Sequence, residues 1–202
     1  MANINLKNRE IECKIVYYGP GRCGKTTNLE YIFKTFRKQA IGEMVSANTE
    51  GDRTLFFDFL PLGIGKIKGY DVRLQLYTVP GQVKYSATRK MVLREVDGVA
   101  FVADSIKVRR KANVESLKDL HQNLKEYGLS ITKIPLVIQY NKRDLAKQGI
   151  PLLPVQQMER DLNRQLKVPS FSASAINGDG VGATLKACIK LTLQSMRKQL
   201  GW

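Results

Sequence analysis

Histidine and cysteine are scarce in this chain. A single histidine, His121, in 202 residues argues against a histidine-based metal site, and its place in a helical pattern marks a surface or boundary residue. The three cysteines, Cys13, Cys23 and Cys188, have no C-x-x-C spacing. An odd, scattered count argues against a disulfide framework and for a reducing compartment. No apolar run is long enough to cross a bilayer. Residues 1–7 carry no signal-peptide core, Ala2 stands where myristoylation needs glycine, and Leu200-Gly201-Trp202 is no prenylation box. The expectation is a cytoplasmic protein with no integral membrane segment and no recognisable lipid anchor. Repeats, low-complexity tracts and linkers are also lacking, which predicts one domain over residues 1–202, long enough to bury a real core.

Acidic residues are the other shortage. Asp and Glu number 18 against 33 Lys and Arg, a formal charge of +15. Basic clusters stand at Arg37-Lys38, Arg89-Lys90, 107–111 and Lys142-Arg143. Such an excess attracts polyanions at long range: an acidic protein, an anionic surface or nucleic acid. No DNA- or RNA-reading motif accompanies it, and solvated faces without a specific partner explain it equally well.

Against these absences stands one dense motif. Gly19-Pro20-Gly21-Arg22-Cys23-Gly24-Lys25-Thr26-Thr27 follows an apolar run, 11–18, and opens a helical pattern. Gly19, Gly24, Lys25 and Thr26 fit G-x-x-x-x-G-K-[ST], the phosphate-binding loop. Glycines let the backbone wrap closely around phosphate. The loop N–H groups and the helix N-terminus aim positive potential at that anion. Gly19, Gly21, Arg22, Cys23, Gly24, Lys25, Thr26 and Thr27 are therefore candidate nucleotide contacts. Lys25 would reach the β- and γ-phosphates, and the Thr26 hydroxyl would ligate Mg²⁺.

Two further readings of this loop stay open. A helix N-terminus and Lys25 could depress the pKa of Cys23, so that oxidation or alkylation blocks nucleotide binding; an inert thiol is the competing reading. Gly19, Gly21 and Gly24 also spell G-x-G-x-x-G, the dinucleotide fingerprint, with Glu43 near the distance of a ribose-binding acid. That fingerprint requires neither Lys25 nor Thr26.

Nor does it account for a second motif, Asn141-Lys142-Arg143-Asp144, which follows the apolar run 134–140. N-K-x-D reads guanine. The Asp144 carboxylate can accept hydrogen bonds from N1 and N2 of guanine, which adenine cannot supply; adenine would leave that charge unsatisfied. A solvated polar turn is the bland alternative, but both motifs occur in order, each at the C-terminal end of an expected strand.

Strand-like runs alternate with helical patterns, which predicts an α/β fold with a mainly parallel sheet covered by helices. Strands are expected at 11–18, 55–60, 70–77, 96–102, 137–140 and 168–172, with a short edge strand at 4–6. Strands 55–60 and 70–77 should be antiparallel, with Gly63, Gly65 and Gly69 in the turn between them. Helices are expected at 25–37, 114–124, 154–166, opened by Pro154, and 184–199. The last is amphipathic, with Leu185, Ile189, Leu193 and Met196 on one face. Core packing with a solvated basic face suits it better than membrane-surface binding.

Over nearly its whole length the chain resembles Ras-like small GTPases, and within them the bacterial MglA family. The resemblance is carried by 17–29, by 49–58 with Asp52-Arg53-Thr54-Leu55-Phe56-Phe57-Asp58, by 76–83 with Thr78-Val79-Pro80-Gly81-Gln82, and by 140–145. It implies a P-loop NTPase with a Ras-like G domain, a mainly parallel six-stranded sheet with helices on both faces. It also implies a Mg²⁺-dependent GTP/GDP switch that hydrolyses GTP, regulates cell polarity and gliding motility, and is recruited to cell poles. The implied partners are a roadblock-domain activator of the MglB kind and effectors that recognise the GTP state.

Residue by residue, the resemblance makes Thr54 the γ-phosphate sensor acting through Mg²⁺, so Thr26 and Thr54 form the metal set. Gly81 would donate its N–H to the γ-phosphate and Gln82 would orient water. Arg53 would add transition-state charge from within the chain, beside Lys25; a solvated loop arginine is the competing reading. Ser174-Ala175-Ile176 fits the guanine-contacting S-A-x element, preferred over Ser172-Ala173 for its distance to Gly180-Val181. One departure matters. Thr78 stands where D-x-x-G has the Asp that holds a metal-bound water, and Asp58 or Asp52 are the candidates to substitute. Thr78 keeps one rival open, a nucleotide-loaded scaffold with negligible hydrolysis; the basic excess keeps a second, a polyanion-binding module whose nucleotide is structural.

Overall fold

The apolar runs are rich in β-branched and aromatic residues, which fit a pleated surface, and they fold as strands. A computed structural model describes residues 3–5, 8–48, 56–82 and 85–201. Its strands are β1 (Asn3–Asn5), β2 (Glu10–Tyr18), β3 (Val45–Asn48), β4 (Phe56–Ile67), β5 (Tyr70–Thr78), β6 (Gly98–Asp104), β7 (Leu136–Asn141) and β8 (Ser170–Ser172). Its helices are α1 (Lys25–Thr35), α2 (Ser86–Leu93), α3 (Arg110–Glu126), α4 (Val155–Met158) and α5 (Val181–Leu200).

The strands form one sheet in the order β3-β4-β5-β2-β6-β7-β8, with β1 antiparallel to β2. From β5 to β8 all neighbours are parallel, whereas β3-β4-β5 is antiparallel. Alternation along β2 sends Ile11, Cys13, Ile15 and Tyr17 to one face and Val16 and Tyr18 to the other. On the first face they pack with Leu29 and Ile32 of α1 and Leu185, Cys188 and Met196 of α5. On the second they pack with Leu93 of α2, Leu120 and Leu124 of α3, and Met158 of α4. β6 and β7 are buried at every position, as strands covered on both faces must be. Within this core, Asn28 and Gln139 exchange paired amide hydrogen bonds of 2.9 and 3.0 Å, and Gln139 also donates to Thr184 at 3.1 Å. That polar brace ties α1, β7 and α5 together.

Three expectations need correction. The described residues form eight strands, not six with an edge; β3 is the addition. Its sequence, Val-Ser-Ala-Asn, has no apolar run, and it forms by pairing with β4 between Phe56 and Phe59. The turn of the β4-β5 hairpin lies at Lys68-Gly69, not across Gly63 to Gly69. Gly63 and Gly65 stay within β4 and take up a register shift against β5, a bulge. The helix expected at 154–166 is one α turn, α4, continued by a π-type turn over Glu159–Asn163.

The parallel strands all end at one edge. β2 runs into Gly19, β5 into Thr78, β6 ends on Asp104 and β7 on Asn141. The chain leaves β2 to build β5 on one side and then β6 on the other. Open α/β sheets bind ligands in the crevice at such a reversal, outside the carboxyl ends of the strands.

Candidate functional site

The phosphate-loop residues occupy that crevice, between β2 and the N-terminus of α1. Gly24 precedes the helix at φ 98°, and a Cβ there would lie 2.3 Å from Asn141 Nδ2. Only glycine suits that position. The Lys25 ammonium is buried within the loop, 3.0 Å from the Gly19 carbonyl and 2.8 Å from that of Pro20. From beyond β5, Gly81 closes on the loop so tightly that a Cβ would stand 2.1 Å from Gly21 N. Gly24 thus packs the loop against Asn141, and Gly81 packs the chain after β5 against the loop.

A cavity of about 760 Å³ opens there, lined by Gly21, Arg22, Lys25, Thr26, Ser46, Asp58, Thr78, Gly81, Gln82 and Arg109 among others. Asp58 is its buried acid. Its carboxylate accepts from Thr26 Oγ1 at 2.6 Å, Thr78 Oγ1 at 2.8 Å and Ser46 Oγ at 2.8 Å. Its own N–H donates to Thr78 Oγ1 at 2.9 Å. Three hydroxyls on one carboxylate form an oxygen-only donor set, the chemistry that suits a hard cation such as Mg²⁺. Among the described residues, no group of three His, Cys, Asp or Glu could hold a metal alone. A magnesium ion here would therefore depend on hydroxyls, phosphate oxygens and water around a single acid, which is how Mg²⁺ is usually held beside nucleotides.

The second-motif residues line a neighbouring cavity of about 280 Å³, across the loop. Arg22, Gly24, Thr27, Asn141, Lys142, Asp144, Ala175 and Ile176 face it. Asn141 is buried and braces both walls. It donates from Nδ2 to the Cys23 carbonyl at 2.8 Å and accepts the Ala175 N–H on Oδ1 at 2.9 Å. The Ser174-Ala175 register is thus the one beside Asn141. Ser174 N donates to the Asp179 carbonyl at 2.9 Å, which closes that loop. Ile176 is 74 % exposed at the cavity rim. Lys142 takes φ 70° and extends its ammonium to Asp104 at 2.8 Å.

Not all the sequence-predicted residues meet here. Arg53, Thr54 and Asp52 lie outside the described residues. Glu43 is exposed and lines neither cavity, so it does not stand where a dinucleotide site needs its ribose acid. Cys23 is fully buried, which favours the inert-thiol reading. Burial pushes that thiol up, and Lys25, 3.6 Å away, only partly offsets it. Cys23 contributes its backbone to the loop, not a nucleophile.

Other residues escaped the sequence reading. Arg89 of α2 is buried; it pairs with Asp119 of α3 at 2.9 Å and donates to the carbonyls of Gln82 and Pro80. Asp119 also accepts from the Tyr18 hydroxyl and from Asn123. The turn carrying Gln82 is thereby tied to α3 and to the strand that leads into the phosphate loop. Ser46 sits on a strand with no apolar signal. Asp104 had one usable signal, an acid at the carboxyl end of a parallel strand, where such sheets place ligands; Arg109 had none beyond its basic cluster.

Comparison with known proteins agrees with this geometry. A model of the Ras family matches residues 14–194. The chain is similar to the mutual gliding-motility protein MglA of Myxococcus xanthus (strain DK1622), 54% identical over 198 residues that cover 98% of this chain and 99% of that protein. It is also similar to ADP-ribosylation factor-like protein 4C of Homo sapiens, 30% identical over 191 residues, covering 92% of this chain and 89% of the human protein. The Mus musculus protein of that name gives the same figures.

Proposed function

This chain belongs to the Ras family of small GTPases, and from that premise we propose that it is a one-domain, Mg²⁺-dependent GTP/GDP switch of the MglA kind. In this reading it hydrolyses GTP, regulates cell polarity and gliding motility, and is recruited to cell poles. A roadblock-domain activator of the MglB kind stimulates it, and effectors recognise its GTP state. The observation that carries the nucleotide reading is the pair of cavities straddling one loop, with Lys25, Thr26 and Asp58 in one and Asn141, Asp144 and Ala175 around the other.

The residues divide the work as follows. Loop N–H groups from Gly19 to Thr27 cradle the phosphates, and Lys25 supplies positive charge to the β- and γ-phosphates. Thr26 and Thr54 would be the hydroxyl ligands for magnesium. Asp58, which accepts the Thr26 and Thr78 hydroxyls, would take the part that an Asp at position 78 would otherwise have beside the ion. The chemistry such an ion would supply there is neutralisation of phosphate charge. The Gly81 N–H senses the γ-phosphate. Gln82, its backbone clamped by Arg89, orients the attacking water, and Arg53 adds charge late in the reaction. Asp144 selects guanine, and Ser174, Ala175 and Ile176 close over the base. Loss of the γ-phosphate releases the segments around Thr54 and Gly81, and partner choice changes with them.

The scaffold reading rests on Thr78; against it stands Asp58, which brings a carboxylate to the Thr78 and Thr26 hydroxyls. Phosphate release with and without a roadblock activator tests the proposal. Gln82→Ala and Arg53→Ala should each bind GTP normally and lose about two orders of magnitude or more of the stimulated rate. Wild-type rates in Arg53→Ala with activator present would remove the internal arginine from the mechanism.

A further inference from the structure

β6 ends on Asp104, a carboxylate only 1 % exposed and the register partner of Asn141. Its position is set from its own segment. Oδ1 accepts the Ile106 N–H at 3.0 Å, and Asn113 grips the Asp104 backbone by both N–H and carbonyl, at 2.9 and 2.8 Å. Two cations converge on the other oxygen, Oδ2: Lys142 Nζ at 2.8 Å and Arg109 Nε at 3.8 Å. A carboxylate withdrawn from water must be paired, and the partners it has are informative. Lys142 belongs to the base cavity. Arg109 belongs to the phosphate cavity, where it shares the wall with Lys25, Thr26 and Gln82.

Arg109 also reaches past Asp104. Its Nη2 donates to the Gly21 carbonyl at 2.7 Å. A Cβ built on Gly21 would lie 3.9 Å from Gln82 Cγ. The Gly21 residue thus has Arg109 on its carbonyl and Gln82 beside its α-carbon. A planar guanidinium can bind a carboxylate and a carbonyl at once, which an ammonium does less well.

We propose that Asp104 is a positioning residue that joins base reading to hydrolysis: it sets Lys142 at the base cavity and, through Arg109, fixes the Gly21 peptide opposite Gln82. The inference rests on the nucleotide-site reading above. Binding of the phosphates by loop N–H groups does not need this link. The alignment of Gln82 against a fixed loop does, and misplacement of about 1 Å lowers rates by roughly a hundredfold.

A double-mutant cycle on the full chain tests it, with single-turnover GTP hydrolysis and fluorescent-GDP affinity read for every variant. Arg109→Ala should slow hydrolysis by about tenfold or more and change GDP affinity by less than about threefold, a split that a general loss of fold would not produce. For Lys142→Ala with Arg109→Ala, the combined slowing should depart from the product of the two single effects by about fivefold, and should equal that product in an Asp104→Asn background. Should Asp104→Asn not fold, Arg109→Ala and the native-background cycle still decide the matter. Wild-type hydrolysis in Arg109→Ala, or effects that simply multiply in the native background, overturns the inference while leaving the nucleotide site intact. A wild-type chain that binds no guanine nucleotide fails the underlying reading instead.

Discussion

Thr78 donates its hydroxyl proton to Asp58 and accepts the Asp58 backbone N–H, so the two residues form a closed pair across β5 and β4. The same carboxylate takes the Thr26 hydroxyl. A partner of a metal ligand orients it, and losing such a partner typically weakens metal affinity 10–100-fold. Asp58→Ala should therefore need about tenfold more Mg²⁺ or above to slow release of fluorescent GDP. An unchanged magnesium dependence would show that Asp58 has no part in holding the ion. The buried thiols make a second prediction. Burial pushes Cys13 and Cys188 up from 9.0 to about 12. Above pH 9 the unfolded chain loses these thiol protons while the folded chain keeps them, so unfolding is favoured as pH rises. The stability they contribute is whole below pH 9 and declines from there toward pH 12. Urea midpoints at pH 8 and pH 10 should fall, and Cys13→Ala with Cys188→Ala should flatten the fall; an equal slope in the double variant would count against it. Lys25, Thr26, Asn141 and Asp144 were legible in the sequence because their chemistry demands fixed residue types at fixed spacing. Ser46, Arg89, Asp104 and Arg109 were not, because strand pairing and helix docking bring them to the site from distant positions.

At the scale of elements, legibility followed hydrophobic pattern. β6, β7 and the second half of β2, 15–18, are nearly continuous apolar runs because both their faces are buried, whereas Glu10, Glu12 and Lys14 alternate with buried residues in the first half of β2. β3 owes its existence to β4 and carries no signal of its own. α2 went unread: an eight-residue helix (Ser86–Leu93) opened by polar residues offers little periodicity. Pro154 did mark a helix start, but the π-type turn that follows could not be read from propensity, since it depends on how the segment packs. Gly98, at the start of β6, shows how closely the layers fit. A Cβ there would lie 2.2 Å from Thr192 Oγ1 and 3.5 Å from Cys188 Sγ, both on α5. Gly98→Val forces α5 away from the sheet and should cost about 1–3 kcal/mol, read as a lowered urea midpoint. A midpoint equal to wild type would mean that α5 yields without cost. Nucleotide selectivity should survive, since α5 meets β6 at the end opposite the loops.

Across the whole molecule, the sheet does one thing for function: it delivers a phosphate cradle and a base reader to the same edge, from β2, β5, β6 and β7. The excess of basic residues, 33 against 18, adds a long-range field that attracts anions. That field favours no base, so selectivity has to come from the site. Among the described residues lining the base cavity Asp144 is the one acid, and a site built to pair a donor-bearing edge rejects an analogue lacking it by about 10⁴ or more. Competition binding by GTP, ATP and xanthosine triphosphate, on the native chain and on Asp144→Asn, puts this to the test. The native chain should prefer GTP over ATP by about 10⁴, and Asp144→Asn should lose GTP while gaining the xanthine nucleotide, whose 2-oxo group suits an amide donor. Equal binding of ATP and GTP by the native chain, or a preference that Asp144→Asn leaves unmoved, would contradict the account.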